Sequence, residues 1–357
     1  MRIPAALIAL CALLTLADAH ADEPFYKGKR LTMVINFGSG GPADIEGRLF
    51  AKHIGKHIEG NPSVIVQNID GAGGLIGTNY LGEIAPRDGS VFGHLTGTSW
   101  RYANNPEVFR VDFLKYEFIA NQPSTAVYFV RADVAPGMHV PTDIAKARGI
   151  ISGGLGPDNA KDLLIRLGLD MLGVPYRHVT PYRNSAVARL ALQQGEINFF
   201  SESPPSYRAV VHPGIVKDGL AIPLWHDPTA DGDTLVASKQ VEGLDIPPFH
   251  EFHRTIKGTV PSGPLWDAYR VITTVNGSML RLVALPPGTA PAAVEALRAA
   301  IVRLASDPAY VDEVVRTIGF VPDYETGPDT NRRVRQGLAV RPEVRAFIAD
   351  YVKKGGR

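Results

Sequence analysis

The stretch that decides the fold, residues 31–99, contains two glycine-rich turns, Phe37-Gly38-Ser39-Gly40-Gly41-Pro42-Ala43-Asp44 and Gly71-Ala72-Gly73-Gly74. Each turn follows a short apolar run, residues 31–35 before the first and residues 64–66 before the second. After each turn, apolar residues recur at helical spacing, which predicts a helix. Two successive strand–turn–helix units indicate an α/β fold built on a parallel sheet.

The two turns have the composition of a backbone site for anions. Glycine has no Cβ, so a ligand can approach the peptide N–H groups closely. A helix N-terminus adds about half a positive charge and several free N–H donors. The turns lie at the carboxyl ends of their strands, where such sheets bind ligands, and a strand over residues 91–95 delivers Gly97-Thr98-Ser99 to the same edge. A carboxylate bound by backbone alone is one interpretation, and two ordinary tight turns are the other.

Composition and the N-terminus indicate an exported globular protein. The chain has 357 residues and a net charge of +1, enough length for two cores and too little charge for a nucleic-acid partner. Residues 1–21 join a basic start and an apolar run to Ala19-His20-Ala21, the small-x-small form of a signal-peptidase site. We expect cleavage after Ala21 and a periplasmic protein. The mature protein would contain no cysteine, because Cys11, the only cysteine, lies in the removed segment.

No motif in the sequence indicates catalysis or a bound cofactor. The chain lacks the Gly-x-Ser-x-Gly of serine hydrolases, and its turns lack the Gly-x-x-x-x-Gly-Lys of nucleotide-binding loops. His53 and His57 are four residues apart on the first predicted helix and could share a metal, but no third ligand is evident. We therefore expect a protein that is not an enzyme and has no metal and no cofactor.

The order of the motifs along the chain carries further information. In sequence they are the first turn with Asp44 and Arg48, Asn68-Ile69-Asp70-Gly71-Ala72-Gly73-Gly74, Pro86-Arg87-Asp88-Gly89, Pro181-Tyr182-Arg183-Asn184 and Leu285-Pro286-Pro287-Gly288. This order resembles that of the Bug-type periplasmic substrate-binding receptors of tripartite tricarboxylate transporters. The resemblance covers most of the chain after the signal peptide.

The resemblance implies a two-lobed α/β fold of the periplasmic binding protein kind, type II-like, with a ligand cleft between the lobes. Residues 22–128 and 277–357 would form lobe 1 and residues 129–276 lobe 2, with a hinge near Val130-Arg131 and Asn276-Gly277. It implies a monomer that captures a small carboxylate, such as a di-, tricarboxylic or aromatic acid, and delivers it to the large and small membrane subunits of a transporter. A sensor that presents the same closed form to a signalling receptor and an exported enzyme acting on a carboxylic acid are the alternatives.

The resemblance also implies which residues contact the ligand. In lobe 1 the backbone amides of the turns, with ordered water, would bind one carboxylate, and in lobe 2 side chains would recognise the rest of the ligand. The lobe 1 residues are Phe37, Gly38, Ser39, Gly40, Gly41, Asp44, Ala72, Gly73, Gly74, Thr98 and Ser99. The lobe 2 residues are Ser152, Gly153, Gly154, Asn159, Tyr182, Arg183 and Glu202.

Three of these side chains have a specific expected role. Arg183 could bind a second carboxylate through two hydrogen bonds, and Glu202 could accept from an amine or hydroxyl of the ligand; exposure to solvent is the alternative for both. Asp44 could face the cleft or cap the first helix. Lobe 2 departs from the family pattern, with Ala160 in place of a histidine and Asn184 in place of a glycine, which leaves the identity of the ligand open.

Overall fold

The computed structural model describes residues 23–231 and 234–355, so the expected signal peptide, with Cys11, lies outside the described residues. Within those two ranges, no helix has both the length and the apolar character required to cross a membrane. The strands are β1 (Arg30–Ile35), β2 (Ser63–Asn68), β3 (Val91–Thr96), β4 (Glu117–Gln122), β5 (Val127–Arg131), β6 (Ile150–Gly153), β7 (Tyr176–Val179), β8 (Phe199–Glu202), β9 (Ala221–His226), β10 (Thr229–Asp231), β11 (Thr234–Val236), β12 (Arg281–Leu285) and β13 (Glu325–Thr326).

The helices surround these strands. A single helical turn (Pro204–Ser206) leads into a π-helix (Tyr207–Val216), and six short 3₁₀ turns complete the described part of the chain. The α-helices are α1 (Pro42–Ile54), α2 (Leu75–Glu83), α3 (Thr98–Asn104), α4 (Ala160–Leu172), α5 (Ser185–Gln194), α6 (Phe249–Lys257), α7 (Pro264–Ser278), α8 (Pro291–Ala305), α9 (Pro308–Ile318), α10 (Thr330–Gly337) and α11 (Pro342–Lys353).

The first sheet contains the two predicted strand–turn–helix units. Its strand order is β13-β4-β12-β3-β1-β2, and β1 pairs in parallel with both β2 and β3. β12, β4 and β13 pair antiparallel to their neighbours, so the sheet is mixed rather than wholly parallel. The three parallel strands end at one edge, which brings the turns after β1, β2 and β3 together as expected.

The second sheet has the order β7-β6-β8-β5-β9. The chain enters it from the first sheet through residues 123–126, and it returns through α7, whose end precedes β12. The expected hinge residues Val130 and Arg131 lie within β5, paired to β8 and β9, and Asn276 lies within α7. A paired strand resists bending, so β5 is poorly suited to act as a hinge. Residues 123–126, which connect β4 of the first sheet to β5 of the second, are outside any strand or helix. The division into lobes at residues 128 and 276 stays a prediction.

One hydrophobic core extends from the first sheet to the second. It includes Trp100 and Leu282 on one side and Leu163 and Trp225 on the other. Helix α7 lies among these elements, in contact with α3, α4 and α11. The two sheets and their helices confirm the α/β fold with two lobes.

Candidate ligand site

A cavity of about 80 Å³ lies between the two sheets, with a wall from each. The first glycine turn and the end of β3 line one side, and the starts of α4 and α5 line the other. The passage residues 124–126 and the end of α7 close the back. The volume corresponds to roughly five to eight water-sized groups, which is the scale of a small organic acid.

The first turn contributes backbone to the wall of the cavity. Phe37, Gly38 and Gly41 line it, together with the first residues of α1. Gly41 precedes the helix in an extended conformation (φ −87°, ψ 173°). Pro42, the first residue of α1, has no N–H, and the Asp44 N–H donates to the Gly41 carbonyl at 3.1 Å, so the Ala43 N–H is the donor that the first turn of α1 leaves at the cavity wall. The arrangement suits an anion, because this donor lies at the positive end of a 13-residue helix.

Asp44 braces this turn instead of lining the cavity. Its carboxylate accepts hydrogen bonds from the Gly40 N–H at 3.0 Å and from Arg48 Nε at 2.8 Å. Asn68 Nδ2 donates to Asp44 at 2.9 Å and to the Phe37 carbonyl at 2.8 Å. These bonds hold the turn in its shape. The N-cap position of α1 is Gly41 and no side chain caps it, so the Asp44 carboxylate stabilises the turn before the helix rather than the N–H groups of the helix itself.

The second and third turns lie beside the cavity rather than in its wall. Gly73 and Gly74 have φ of +62° and +91°, the left-handed conformation that favours glycine. The Gly74 carbonyl accepts from Thr78 Oγ1 at 2.9 Å, which ties the second turn to α2. In the third turn Gly97 lines the cavity, whereas Ser99 Oγ donates to the Met279 carbonyl at 2.9 Å. Of the expected residues, Ser39, Gly40, Ala72, Gly73, Gly74, Thr98 and Ser99 lie outside the cavity lining.

The glycine turn before α4 is held by a buried polar chain. Asp162 accepts the Leu155 N–H at 2.7 Å and bonds His178 Nε2 at 2.8 Å, and His178 Nδ1 in turn bonds Ser152 Oγ at 2.9 Å. Ser152, Gly153 and Gly154 therefore lie behind the cavity, where they shape the turn. Asn159 caps α4 by accepting the Lys161 N–H at 3.0 Å, and it lines the cavity as predicted.

Lys161, which the sequence did not single out, brings a cation to the cavity wall. Its ammonium donates to the Ser201 carbonyl at 2.6 Å and to Ser185 Oγ at 3.2 Å, and it lies 4.4 Å from the centre of the Phe200 ring. Burial lowers the pKa of Lys161 to about 8, while the charge of Glu202 opposes the shift. The side chain is thus charged at neutral pH and has one N–H left for a ligand.

Asp227 brings a buried carboxyl group to the same cavity. Its Oδ1 accepts the Tyr269 hydroxyl at 2.5 Å and the Tyr128 hydroxyl at 2.9 Å. Burial raises the pKa of Asp227 to about 7, and the two tyrosine hydrogen bonds limit the rise. The residue directly follows β9.

Arg183 and Glu202 have protein partners. The Arg183 guanidinium is largely exposed and binds both oxygens of Asp70, at 2.7 and 2.8 Å. Glu202 is fully buried and pairs with Arg189 at 2.6 Å, and Arg189 also donates to the Gly40 carbonyl at 3.1 Å. Neither Arg183 nor Glu202 lines the cavity, and neither does Tyr182. Arg183 and Arg189 instead link the second lobe to the turns of the first.

The two histidines of α1 also have carboxylate partners. His53 Nε2 lies 2.7 Å from Glu313, and His57 Nε2 lies 3.0 Å from Asp307, both on or next to α9. Among the described residues, no three or more His, Cys, Asp or Glu side chains are grouped so as to hold a metal.

Solved structures share this two-sheet architecture. The periplasmic binding protein BugD is 19% identical over 93% of this chain and 99% of its own, with a TM-score of 0.66. MatC from Rhodopseudomonas palustris, solved with malate, is 15% identical over 90% of this chain and 99% of its own, with a TM-score of 0.64. A second R. palustris protein, solved with adipate, is 18% identical over 92% of this chain and 97% of its own, with a TM-score of 0.64.

These likenesses confirm, at the level of fold, the resemblance that the sequence motifs indicated. The chain has the fold of the periplasmic binding proteins of the Bug and TctC type. No protein-family model matches the sequence, and no curated protein matches it.

Proposed function

We propose that this protein is a periplasmic receptor of the Bug type, which binds a small carboxylic acid between its lobes. The observation that carries the proposal is the cavity itself, which has the backbone of the first turn, with the Ala43 N–H at the start of α1, on one wall and Lys161 on the other. Both groups can donate hydrogen bonds to an anion, and they belong to different lobes. An acid that bridges them would stabilise the closed form.

The binding mode follows from these two donors. One carboxylate oxygen pair would accept from the backbone at Gly41 and the start of α1, where the helix dipole favours negative charge. Lys161 replaces Arg183 in the role of the second-lobe cation, because Arg183 is already bonded to Asp70. The similar solved structures that contain malate and adipate support a ligand of four to six carbon atoms.

Transport, export and the absence of catalysis complete the proposal. The bound acid would be delivered to the large and small membrane subunits of a tripartite transporter by a monomeric receptor. The signal peptide would be removed after Ala21, which places the receptor in the periplasm.

Thermal shift followed by calorimetry tests the proposal. The full chain is expressed with its own N-terminus, recovered from the periplasm, and unfolded and refolded to remove endogenous acids. The mass of the recovered protein tests cleavage after Ala21. We expect C4 to C6 acids to raise the melting temperature, since a ligand that binds only the native state stabilises it by mass action. Sugars of equal size are the control. A folded protein that responds to none of the acids refutes the proposal.

A further inference from the structure

Two charged side chains that line the cavity have no ion-pair partner among the described residues. They are Lys161 and Asp227, and the oppositely charged atoms nearest to either lie beyond 4 Å. Other charges around Lys161 are paired: Glu202 with Arg189 at 2.6 Å and Asp162 with His178 at 2.8 Å. One cation and one carboxylate therefore remain to face a ligand.

Hydrogen bonds keep these two charges apart. Ser201 and Ser185 hold the Lys161 ammonium against the second sheet. Tyr128 and Tyr269 hold Asp227: both donate to its Oδ1, and the Tyr128 hydroxyl also lies 3.2 Å from its Oδ2. None of these donors is charged, and a buried carboxylate without a cation is costly. Since Asp227 is fixed and lines the cavity, the missing cation is best supplied by what the cavity binds.

From this pair we propose that the ligand is an amino acid, whose ammonium group binds Asp227 and whose acidic end binds Lys161 and the first turn. The inference rests on the proposed function and narrows its ligand class. A zwitterion places a positive charge at the lone carboxylate and a negative charge at the lone ammonium. An acid without the amino group would leave Asp227 facing added negative charge.

Two more polar atoms in the wall fit a hydrogen-bonding ammonium. Thr273 and Asn276, both on α7, line the cavity, and Thr273 Oγ1 and Asn276 Oδ1 are buried oxygens without a hydrogen-bond partner among the described residues. An ammonium has three N–H donors, so these residues supply acceptors for it in the same wall as Asp227.

Calorimetry on acids that differ only by the amino group tests the inference at pH 7.5. The pairs are aspartate with succinate, glutamate with glutarate, and alanine with propionate. We expect the amino member of the preferred pair to bind at least about tenfold more tightly, the smallest effect of a charge-assisted hydrogen bond. This comparison uses the wild-type protein and needs no variant.

Two variants then assign the preference. Asp227→Asn keeps an acceptor for the tyrosines and should reduce the preference to near unity, mainly by weakening the member that carries the amino group. Asp70→Asn, which removes a carboxylate outside the cavity, is the matched control and should keep the preference. Equal affinity within every pair, or a preference that survives Asp227→Asn, overturns the inference while the proposed function stands. Failure of every acid overturns the proposed function and this inference with it.

Discussion

The charge state of Lys161 should control the affinity for acids between pH 7 and pH 9. Burial lowers the pKa of this ammonium to about 8, with Glu202, Asp162 and Asp227 as the carboxylates that face it and Arg189 as the nearby cation. At that pKa the side chain is about 90% charged at pH 7 and about 10% charged at pH 9. If only the charged form binds the ligand carboxylate, the dissociation constant rises about tenfold over this range.

The sign of the effect follows from proton linkage. A bound carboxylate favours the charged form of Lys161 and raises its pKa, so binding takes up a proton and weakens as the pH rises. Calorimetry in buffers of different ionisation enthalpy measures this uptake directly. A dicarboxylate is the right probe, because its own groups do not titrate above pH 7.

Lys161→Met is the control for this experiment. It removes the ammonium, keeps the aliphatic chain beside Phe200, and should bind weakly with a flatter pH profile. Any slope that remains belongs to Asp227, whose pKa near 7 lies at the edge of the range. Identical slopes in the wild type and Lys161→Met would refute the assignment of Lys161 to the ligand.

Three other changes test the remaining contacts. Asp227→Asn should stabilise the ligand-free protein relative to the wild type, and more so as the pH rises. Folding raises the pKa of the buried Asp227 carboxyl from 3.8 to about 7, so the wild type loses stability as the pH rises through this range and the variant does not. In urea unfolding, the free energy of unfolding of the variant should gain up to roughly 4 kcal/mol on that of the wild type between pH 4 and pH 8. A difference that does not vary with pH contradicts this. Gly41→Leu should abolish binding with little loss of melting temperature, because φ of −87° suits any residue and the side chain would enter the cavity; Gly214→Leu, in open space, is the control, and normal affinity in Gly41→Leu removes the turn from the site. Arg183→Ala should speed ligand release equally for monoacids and diacids in stopped-flow measurements, because Arg183 binds Asp70 and not the cavity; a selective loss of diacids would restore its expected role as a ligand contact.

The parts of the fold that depend on local pattern could be predicted from the sequence. The apolar run before Phe37 forms β1, and the glycines after it turn sharply into α1. Gly40 has a φ of +80°, a conformation that few residues other than glycine adopt. The antiparallel strands β4 and β12 could not be predicted as members of the same sheet. They are brought together by contacts between residues far apart in the chain, which no local spacing records.

The site shows the same limit more sharply. The backbone wall at Gly38 and Gly41 could be predicted, since glycine composition reports directly on backbone access. The roles of Arg183 and Glu202 could not, because each depends on a partner from another element, Asp70 and Arg189. A signal for Lys161 was present: a lysine two residues after the Asn159 cap, in the first turn of a helix whose residues are mostly buried. Asp227 had no such signal, since its tyrosines come from β5 and α7.

The contacts that join the two lobes directly have a consequence for kinetics. Arg183 with Asp70, Arg189 with the Gly40 carbonyl, and Trp100 Nε1 with the Asp158 carbonyl at 3.1 Å connect protein to protein across the cleft. They contribute to closure whether or not an acid is bound, so they raise the fraction of receptor that closes by itself and the apparent affinity with it. The same contacts lengthen the time an acid stays inside. If the acid is delivered to a membrane partner, as we propose, that partner must supply enough binding energy of its own to separate these residues, and the rate of that separation would set an upper limit on the flux.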